Sequence, residues 1–181
     1  MKFRKNNSKQ DKFMALYAPV QDNLWRYCLA LTYSRADAKE LMSETIAAAY
    51  QSLESLKTEA AFLSYLFTIC KRLFFRNIQS NKRFEIMDAE YFDLYQSQEI
   101  SPDKAMEIKE LYDALEKLPF EQKEAIILFD IMGYSREEIA EIQCSNIENV
   151  KARLYRGRKK LAEILKAEND LITDTKELIY G

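Results

Sequence analysis

The stretch SREEIAEIQCSNIENVKARLYRGRKK, residues 135–160, contains two short units that open in the same way. Ser135 is followed three residues later by Glu138, and Ser145 is followed at the same offset by Glu148. In such a capping box the serine oxygen accepts a backbone N–H of the first helical turn, and the glutamate reaches back to the capping residue. The stretch therefore predicts two capped helices joined by a short turn, which is the sequence form of a helix-turn-helix.

The second of these helices is amphipathic and strongly basic. Its apolar residues recur at helical spacing and predict an inward side; they are Ile147, Val150, Leu154 and Leu161. Residues 151–160 carry six cations and no acid. A recognition helix in a major groove needs basic and polar side chains of this kind. Because a cationic helix end alone indicates only a soluble surface that complements the helix dipole, the inference of DNA binding depends on the helix-turn-helix pattern.

The composition predicts an all-α protein. Only three glycines and three prolines occur among 181 residues, too few for the frequent turns of an all-β fold. Helical periodicity predicts helices over about residues 12–31, 37–56 and 61–80, and Pro19 is expected to kink the first. One face of the second helix carries Leu41, Thr45, Ala49, Leu53 and Leu56.

Two further helices are expected before the helix-turn-helix. Ser101 as N-cap and Pro102 at the first helical position predict a helix start, and this helix should end at Leu118. Pro119 then begins another helix, which should stop near Gly133 because glycine commonly follows a helix C-terminus.

These segments predict two small helical domains joined by a flexible acidic linker. The first domain is expected at residues 10–80. Periodicity fades over residues 81–100, an acidic and aromatic segment that we interpret as the linker. The second domain, residues 101–168, is expected to contain four helices including the helix-turn-helix. The tail at residues 169–181 has no assignment.

The net charge of −2 conceals a separation of charge along the chain. Residues 85–124 contain twelve acidic residues against four lysines, and basic clusters flank them at residues 71–83 and 151–160. The first cluster ends a helix rich in aromatic residues. Aromatic rings can stack on unpaired bases while Lys and Arg hold the backbone, although packing in a core is the simpler interpretation of most of these rings.

Several function classes lack their usual residues. Histidine is absent, which removes the commonest general base and metal ligand, and no phosphate-binding or nucleophile motif occurs. We therefore expect a protein that is not an enzyme and has no cofactor or metal.

Cys28, Cys70 and Cys144 are expected to be buried thiols in a reducing cytoplasm. No signal peptide or membrane-spanning run is present, so a cytoplasmic location is expected.

Two blocks of the sequence resemble the extracytoplasmic-function sigma factors, bacterial initiation factors that direct RNA polymerase to promoters. DAKELMSETIAAAYQSLESLKTEAAFLSYLFTICKRL, residues 37–73, is similar to sigma region two, usually DAEDLVQETFLRAY followed by FRAWLYRIARN. LPFEQKEAIILFDIMGYSREEIAEIQCSNIENVKARLYRGRKKL, residues 118–161, is similar to region four, usually LPxxxRxV, a glycine, YxEIAE and SxGTVKSRLxRAR. The two blocks stand in the family's order and separation.

The resemblance implies a protein without catalysis that binds core RNA polymerase and promoter DNA, with an anti-sigma factor as a further partner. Region two would dock on the polymerase clamp through Asp37, Glu40, Leu41, Ser43, Glu44 and Thr45. The −10 element would be opened and held by the segment from Leu56 to Phe62, which includes Lys57 and Thr58, and by Tyr65, Lys71, Arg72 and Arg76. The −35 element would be bound by Ser145, Asn149, Lys151, Ala152, Arg153, Tyr155, Arg156 and Arg158. The linker would lie along the RNA path of the polymerase, where its negative charge mimics the transcript.

The sequence departs from the family pattern at several of these positions. Tyr65 replaces a tryptophan and Arg72 an asparagine, which changes the expected contacts at −10. Gln143 stands where the turn often has glycine. Glu148 and Asn149 replace a Gly-Thr pair in the recognition helix, and Asn149 could pair with an adenine edge. Gly157 replaces an alanine, which costs about 1 kcal/mol of helix propensity.

Two alternatives remain open from the sequence. A helix-turn-helix regulator would bind duplex DNA by itself, although region two has no role in such a protein. An all-helical interaction protein would use its basic helix to bind an acidic partner. A sigma factor, in contrast, should co-purify with core polymerase and bind promoter DNA poorly without it.

Overall fold

The computed structural model describes the backbone of residues 2–79 and 101–180, and side chains within 9–79 and 101–167 except those of 102, 103 and 105. This part of the chain is helical and contains no strand, which confirms the all-α class. A boundary between residues 90 and 91 divides the chain into two compact units. The predicted linker, residues 81–100, lies outside the described residues.

The first unit contains four α-helices in its described part. They are α1 (Lys2–Tyr17), α2 (Gln21–Thr32), α3 (Arg35–Gln51) and α4 (Phe62–Gln79), with 3₁₀ turns at Ala18–Val20, Leu53–Ser55 and Glu59–Ala61. The helix predicted from residue 12 to 31 is therefore two helices, and the first begins much earlier than expected. Pro19 lies in the 3₁₀ turn between them, because its ring cannot continue an α-helix and it has no N–H to donate.

Local capping determines where α3 begins. Tyr33 adopts a left-handed conformation with φ of 55° and ends α2. The Ser34 hydroxyl then accepts the backbone N–H of Asp37 at 3.2 Å, which satisfies one of the unpaired donors of the first turn. The helix consequently starts two residues before the predicted Asp37. It ends at Gln51, and the predicted end near Leu56 lies just after the 3₁₀ turn Leu53–Ser55.

The core of the first unit lies between α2, α3 and α4. Leu24, Leu41 and Leu66 are at most 1% exposed, and the rings of Tyr27 and Phe67 stack with centroids 4.2 Å apart. Complete burial of each leucine contributes roughly 1.5–3 kcal/mol relative to exposure. This three-helix core fixes which faces of α3 and α4 remain at the surface.

The cysteines differ from one another in burial. Cys28 and Cys70 are fully buried, with Sγ atoms 3.5 Å apart between α2 and α4. The hydrogen bond between the thiols, together with burial, raises the pKa of Cys28. Cys144 is exposed, which makes the expectation of three buried thiols wrong at this position, because Cys144 lies in a surface turn.

The second unit contains four α-helices in its described part. They are α5 (Pro102–Glu116), α6 (Phe120–Ile126), α7 (Arg136–Ile142) and α8 (Ile147–Tyr180), and a single π-helical segment, Ile127–Ile131, continues α6. The predicted start at Ser101 and Pro102 is correct, as is the break before Pro119. Gly133 has φ of 81°, the left-handed conformation that glycine adopts without steric cost.

The first predicted capping box is present and the second is not. The Ser135 hydroxyl accepts the Glu138 N–H at 3.2 Å, and the Glu138 carboxylate accepts the Ser135 N–H at 2.8 Å. Before α8, however, the capping oxygen belongs to Asn146, which accepts the Asn149 N–H at 2.8 Å. Asparagine caps as well as serine does, and the left-handed Cys144 (φ of 46°) lengthens the turn by one residue.

Candidate nucleic-acid interface

The inward face of α8 differs from the predicted one. Val150 and Leu154 are buried as expected, but Ile147 is 36% exposed and Leu161 is half-buried. Gly157 takes a place on the inward face, since a Cβ there would lie 2.9 Å from Ile126 Cδ1 and 3.2 Å from Gln122 Cβ. The glycine therefore allows α8 to approach α6 closely, which offsets its low helix propensity.

The outward face of the N-terminal half of α8 presents polar and basic side chains. Asn149, Lys151 and Arg156 are exposed, Tyr155 is 69% exposed, and Ser145, Ala152 and Arg153 are half-buried. Glu148, predicted to complete a capping box, instead pairs with Lys151 at 2.8 Å. The Asn149 side-chain amide donates to the Ser145 hydroxyl at 3.2 Å. The turn and the first helical turn therefore form one connected polar surface.

Arg153 is held by the turn that precedes α8. Its Nη1 donates to Gln143 Oε1 at 2.7 Å, and Gln143 Nε2 donates to Glu124 Oε2 at 3.0 Å. Gln143 Nε2 also donates to the backbone carbonyl of Glu121 at 3.1 Å. Because Glu124 is only 1% exposed, a guanidinium at the surface is connected to a carboxylate in the interior.

Arg158 is also paired within its own unit. Its guanidinium donates two hydrogen bonds to the Asp130 carboxylate, and it lies over the Phe129 ring at 5.1 Å. The hydrogen bond to Asp130 raises the pKa of Arg158. Arg136 approaches the same ring at 5.4 Å. Arg158 is predicted to bind DNA, but its positive charge is thus already balanced by the carboxylate of Asp130.

A basic cleft of about 470 Å³ opens beside α8. Its lining consists of Arg136, Lys151, Leu154, Tyr155, Arg158 and Lys159. Arg136 and Lys159 are exposed and were not among the predicted site residues. Arg136 was missed because it lies on α7, and only the packing of α7 against α8 brings it beside this face.

The residues predicted to hold the −10 element extend from the segment before α4 to the last turns of that helix. Lys57 and Thr58 are exposed between α3 and α4, and Arg72 and Arg76 are exposed on α4, while Lys71 is half-buried. Tyr65 is half-buried, and its hydroxyl lies 2.7 Å from Ser52 Oγ and donates to the Ala49 carbonyl at 3.3 Å. These contacts anchor Tyr65 to the C-terminal end of α3.

The residues predicted to dock on polymerase are divided between surface and core. Glu40 and Ser43 are exposed, whereas Asp37 and Glu44 are half-buried. Leu41 and Thr45 are 0% exposed, so neither side chain lies at the surface of the first unit. The Thr45 hydroxyl donates to the Leu41 carbonyl at 2.7 Å, and both side chains face the three-helix core.

Glu44 connects α3 to α4 at the edge of the predicted docking surface. Its Oε2 accepts hydrogen bonds from Arg76 Nη2 at 3.3 Å and from Asn77 Nδ2 at 3.1 Å.

A second cleft, of about 580 Å³, lies on the other side of α3. It is lined by Gln10, Phe13, Met14, Ser43, Ile46, Ala47 and Tyr50. Met14 is 51% exposed there, which helical periodicity alone does not reveal.

Neither a metal site nor a membrane span is found among the described residues. Over those ranges, no group of three or more Cys, Asp or Glu side chains is placed to hold a metal ion. The described helices include none that combines the length and the apolar character needed to cross a membrane.

Comparison with known proteins places both units in one family. Residues 16–84 match the family model of Sigma-70 region 2, and residues 108–161 match that of Sigma-70, region 4. The chain is 32% identical over 145 residues to the ECF RNA polymerase sigma factor EcfG of Rhodopseudomonas palustris, covering 79% of each chain. The chain belongs to the extracytoplasmic-function sigma factors. It is thus a sigma factor that directs RNA polymerase to promoters, and a stand-alone regulator is not favoured.

Two other similarities support the assignment of this sigma factor. It is 32% identical over 149 residues to the RNA polymerase sigma factor SigV of Bacillus subtilis, covering 80% of this chain and 86% of that one. Its fold matches the sigma factor RpoE of Bartonella quintana, solved in complex with the anti-sigma factor NepR, with a TM-score of 0.63 and 26% identity. That match covers 86% of this chain and 97% of the other.

Proposed function

We propose that the second unit of this sigma factor binds the −35 element by placing the N-terminal half of α8 in the major groove. The observation that carries the proposal is a surface face on which the exposed side chains of Asn149, Tyr155 and Arg156 surround the small Ala152, presented on a helix whose other face is buried. This is the arrangement that a recognition helix requires.

The side chains on this face divide into two chemical roles. Arg153 has the donors to bind guanine O6 and N7, and Asn149 has the amide to bind an adenine edge, whereas Arg156 is assigned to the phosphate backbone. Lys151 and Tyr155 lie toward the basic cleft, where Arg136 and Lys159 extend the positive surface for phosphates. The Ser145 hydroxyl orients Asn149 through the bond described above. Arg158 is assigned a structural role because its charge is compensated by Asp130.

The first unit is proposed to open and hold the −10 element. Lys57 and Thr58 project from the segment between α3 and α4, and Lys71, Arg72 and Arg76 supply cations along α4. Tyr65 positions this segment, because its hydroxyl is bonded to the end of α3 and only part of its ring is accessible. Arg72 has donors but no acceptor, so its contacts to a flipped base differ from those of an asparagine.

Core polymerase is proposed to dock on the solvent face of α3. Glu40 and Ser43 are the exposed members of the predicted set, and Asp37 and Glu44 border them. Leu41 and Thr45 support this face from inside. The apolar cleft beside Ser43 adds a hydrophobic patch to an otherwise charged surface, a combination typical of protein interfaces.

An anti-sigma factor is proposed as a further partner, supported by the similar sigma factor that was solved with NepR. Such a partner would compete with polymerase and DNA for these surfaces.

We also propose a cytoplasmic location and a role without catalysis. Residues 81–100 are proposed to lie along the polymerase RNA path, where their acidic side chains would occupy the place of RNA phosphates.

The test is run-off transcription with purified core polymerase over a library of genomic fragments. The full chain should yield discrete transcripts, and core polymerase alone should not. An Asn149→Ala, Arg156→Ala double variant should lose these transcripts while still binding core polymerase. The matched control is Lys166→Ala, an exposed cation on the same helix beyond the proposed face. If the double variant initiates at the same sites with the same efficiency as Lys166→Ala, α8 does not recognise the promoter.

A further inference from the structure

Three polar side chains form a path from the interior of the second unit to the proposed DNA surface. Glu124, on α6, is buried; Gln143 lies in the turn of the helix-turn-helix; Arg153 lies on the second turn of α8. Hydrogen bonds of 3.0 Å and 2.7 Å join the three in this order. The path crosses the turn at the position where the family often has glycine, which has no side chain to take part in it.

The chemistry of the two ends fixes the orientation of the amide between them. An ionised carboxylate only accepts hydrogen bonds, and a guanidinium only donates them. Gln143 must therefore direct Nε2 at Glu124 and Oε1 at Arg153, because the reversed amide would place two acceptors together and two donors together. The second bond from Nε2, to the Glu121 carbonyl at 3.1 Å, favours the same orientation.

The consequence for Arg153 is a restricted guanidinium. One of its five N–H donors is engaged with Gln143, and the others remain available for bases or phosphates. Glu124 anchors this arrangement. Because its carboxylate is buried, water has little access to its hydrogen bond with Gln143. Arg153 thus loses less side-chain freedom on binding than an unrestrained arginine would, and preorganisation of this kind increases affinity for the matching site.

We propose that Gln143 and Glu124 are positioning residues for promoter selection. They determine the direction in which Arg153 faces the major groove, and so they contribute to −35 selectivity without touching DNA. The proposal rests on the proposed function, in which α8 binds the −35 element and Arg153 faces it.

The experiment uses holoenzyme made from the full chain and core polymerase. Its probe is a promoter recovered from the run-off transcription library, with the −35 hexamer randomised and the bound templates sequenced. Gln143→Ala should reduce discrimination at the base pair that Arg153→Ala affects by about three- to tenfold, the effect expected for directly coupled side chains. In the Arg153→Ala background, Gln143→Ala should produce no additional change at that base pair.

A reciprocal exchange separates positioning from a merely structural role. Gln143→Glu alone places two carboxylates together and should reduce discrimination, whereas Glu124→Gln alone still offers an amide oxygen to Gln143 Nε2 and should have little effect. In the double variant, Glu124→Gln with Gln143→Glu, an amide N–H at position 124 donates to a carboxylate oxygen at position 143. The other oxygen of that carboxylate accepts from Arg153. It should recover most of the selectivity. Glu141→Gln, at an exposed acid on α7, controls for the loss of one negative charge.

The outcomes distinguish a failure of the positioning proposal from a failure of the proposed function. If Arg153→Ala leaves the −35 preference unchanged, Arg153 is not a DNA contact and the proposed function is wrong at this residue. If Arg153→Ala changes the preference but Gln143→Ala and Gln143→Glu do not, at equal thermal stability and core binding, the positioning proposal is overturned. Loss of selectivity that the double exchange does not restore, with folding intact by circular dichroism, also overturns it.

Discussion

The Arg158 guanidinium is bound by both oxygens of the Asp130 carboxylate, with Nε to Oδ2 at 3.0 Å. This pair joins the π-helical segment after α6 to the fourth turn of α8, and it neutralises a cation that the family resemblance assigns to the −35 element. Arginine and a carboxylate in this fork geometry form one of the stronger pairs in proteins, although partial exposure of both side chains limits its contribution to stability.

Asp130→Asn should release Arg158 toward the DNA. Removal of one negative charge and release of one guanidinium should strengthen holoenzyme binding to duplex promoter DNA at low salt. The plot of log affinity against log salt should become steeper by up to about 0.9. Arg158→Ala is the control and should leave that slope unchanged. A smaller slope of log affinity against log salt for Arg158→Ala than for the wild type would instead show that Arg158 contacts phosphate in the wild-type protein.

Arg156→Ala should weaken promoter binding and flatten its salt dependence. Removing one phosphate contact reduces the slope of log affinity against log salt by about 0.9, whereas removing a base contact changes sequence preference instead. Filter binding of the holoenzyme between low and moderate salt measures the slope. Lys166→Ala, on the same helix, provides the matched control. Equal slopes for Arg156→Ala and the wild type would exclude a phosphate contact.

Leu41→Ala and Glu40→Ala should affect different properties of the protein, although the two positions are adjacent. Leu41 is fully buried, so its truncation should lower the free energy of unfolding by about 2–5 kcal/mol. Glu40 is exposed, so Glu40→Ala should leave stability nearly unchanged and reduce capture by immobilised core polymerase. Urea unfolding and a pull-down measure the two effects. Normal capture by Glu40→Ala would remove this residue from the docking surface.

Gly157→Ala should destabilise the second unit despite the better helix propensity of alanine. The propensity gain is about 1 kcal/mol, but the added Cβ would meet Ile126 and Gln122, and overpacking costs about 1–3 kcal/mol. Ile126→Val removes the Cδ1 atom that the new Cβ would approach. Gly157→Ala should therefore be less harmful in the Ile126→Val background, as measured by thermal unfolding. Equal effects in both backgrounds would show that the contact with Ile126 is unimportant.

The capping box at the start of α7 should make stability depend on pH. Hydrogen bonds from the Ser135 backbone and hydroxyl lower the pKa of Glu138. The folded pKa is therefore below the unfolded value of about 4.3, so the contribution is fully present above that pH and is lost as pH falls through the folded pKa. Glu138→Gln should be less stable than the wild type at pH 7, and the difference should shrink below about pH 4. A difference that stays constant with pH would contradict this origin.

Ser135→Ala tests the other half of the same capping box. The serine oxygen accepts the Glu138 N–H, and its loss should cost about 1 kcal/mol. Because the Ser135 hydroxyl also donates to the Glu138 carboxylate at 2.7 Å, part of this cost should be lost at low pH, and the part that comes from the Glu138 N–H should remain. Chemical unfolding at pH 7 and at pH 3.5 compares the two variants directly.

The sequence predicted the fold well where short-range signals acted alone. Pro102, Pro119 and Gly133 marked helix boundaries correctly, because their backbone restrictions are independent of tertiary structure. Ser135 was identified as a cap for the same reason. Ser145 was not a cap because the neighbouring Asn146 competes for that role, and the choice depends on the left-handed conformation of Cys144.

The candidate site was predicted less completely, because several of its features depend on contacts between distant residues. Leu41 and Thr45 were predicted to face the core by periodicity and to dock on polymerase by resemblance; both are buried, and their docking role stays a prediction. The pairing of Arg158 with Asp130 spans 28 residues, and no local pattern in the sequence indicates it. The basic cleft likewise depends on how α7 packs against α8.

The side chain of Gln143 has a consequence for how such proteins diverge. Selectivity that depends on a buried acid and a turn amide can change by substitutions outside the DNA-contacting surface. Two paralogues with identical recognition helices could then respond to different promoters, and a code based only on base-contacting positions would assign them the same regulon. New regulatory connections could arise in this lineage while every residue that touches DNA stays the same.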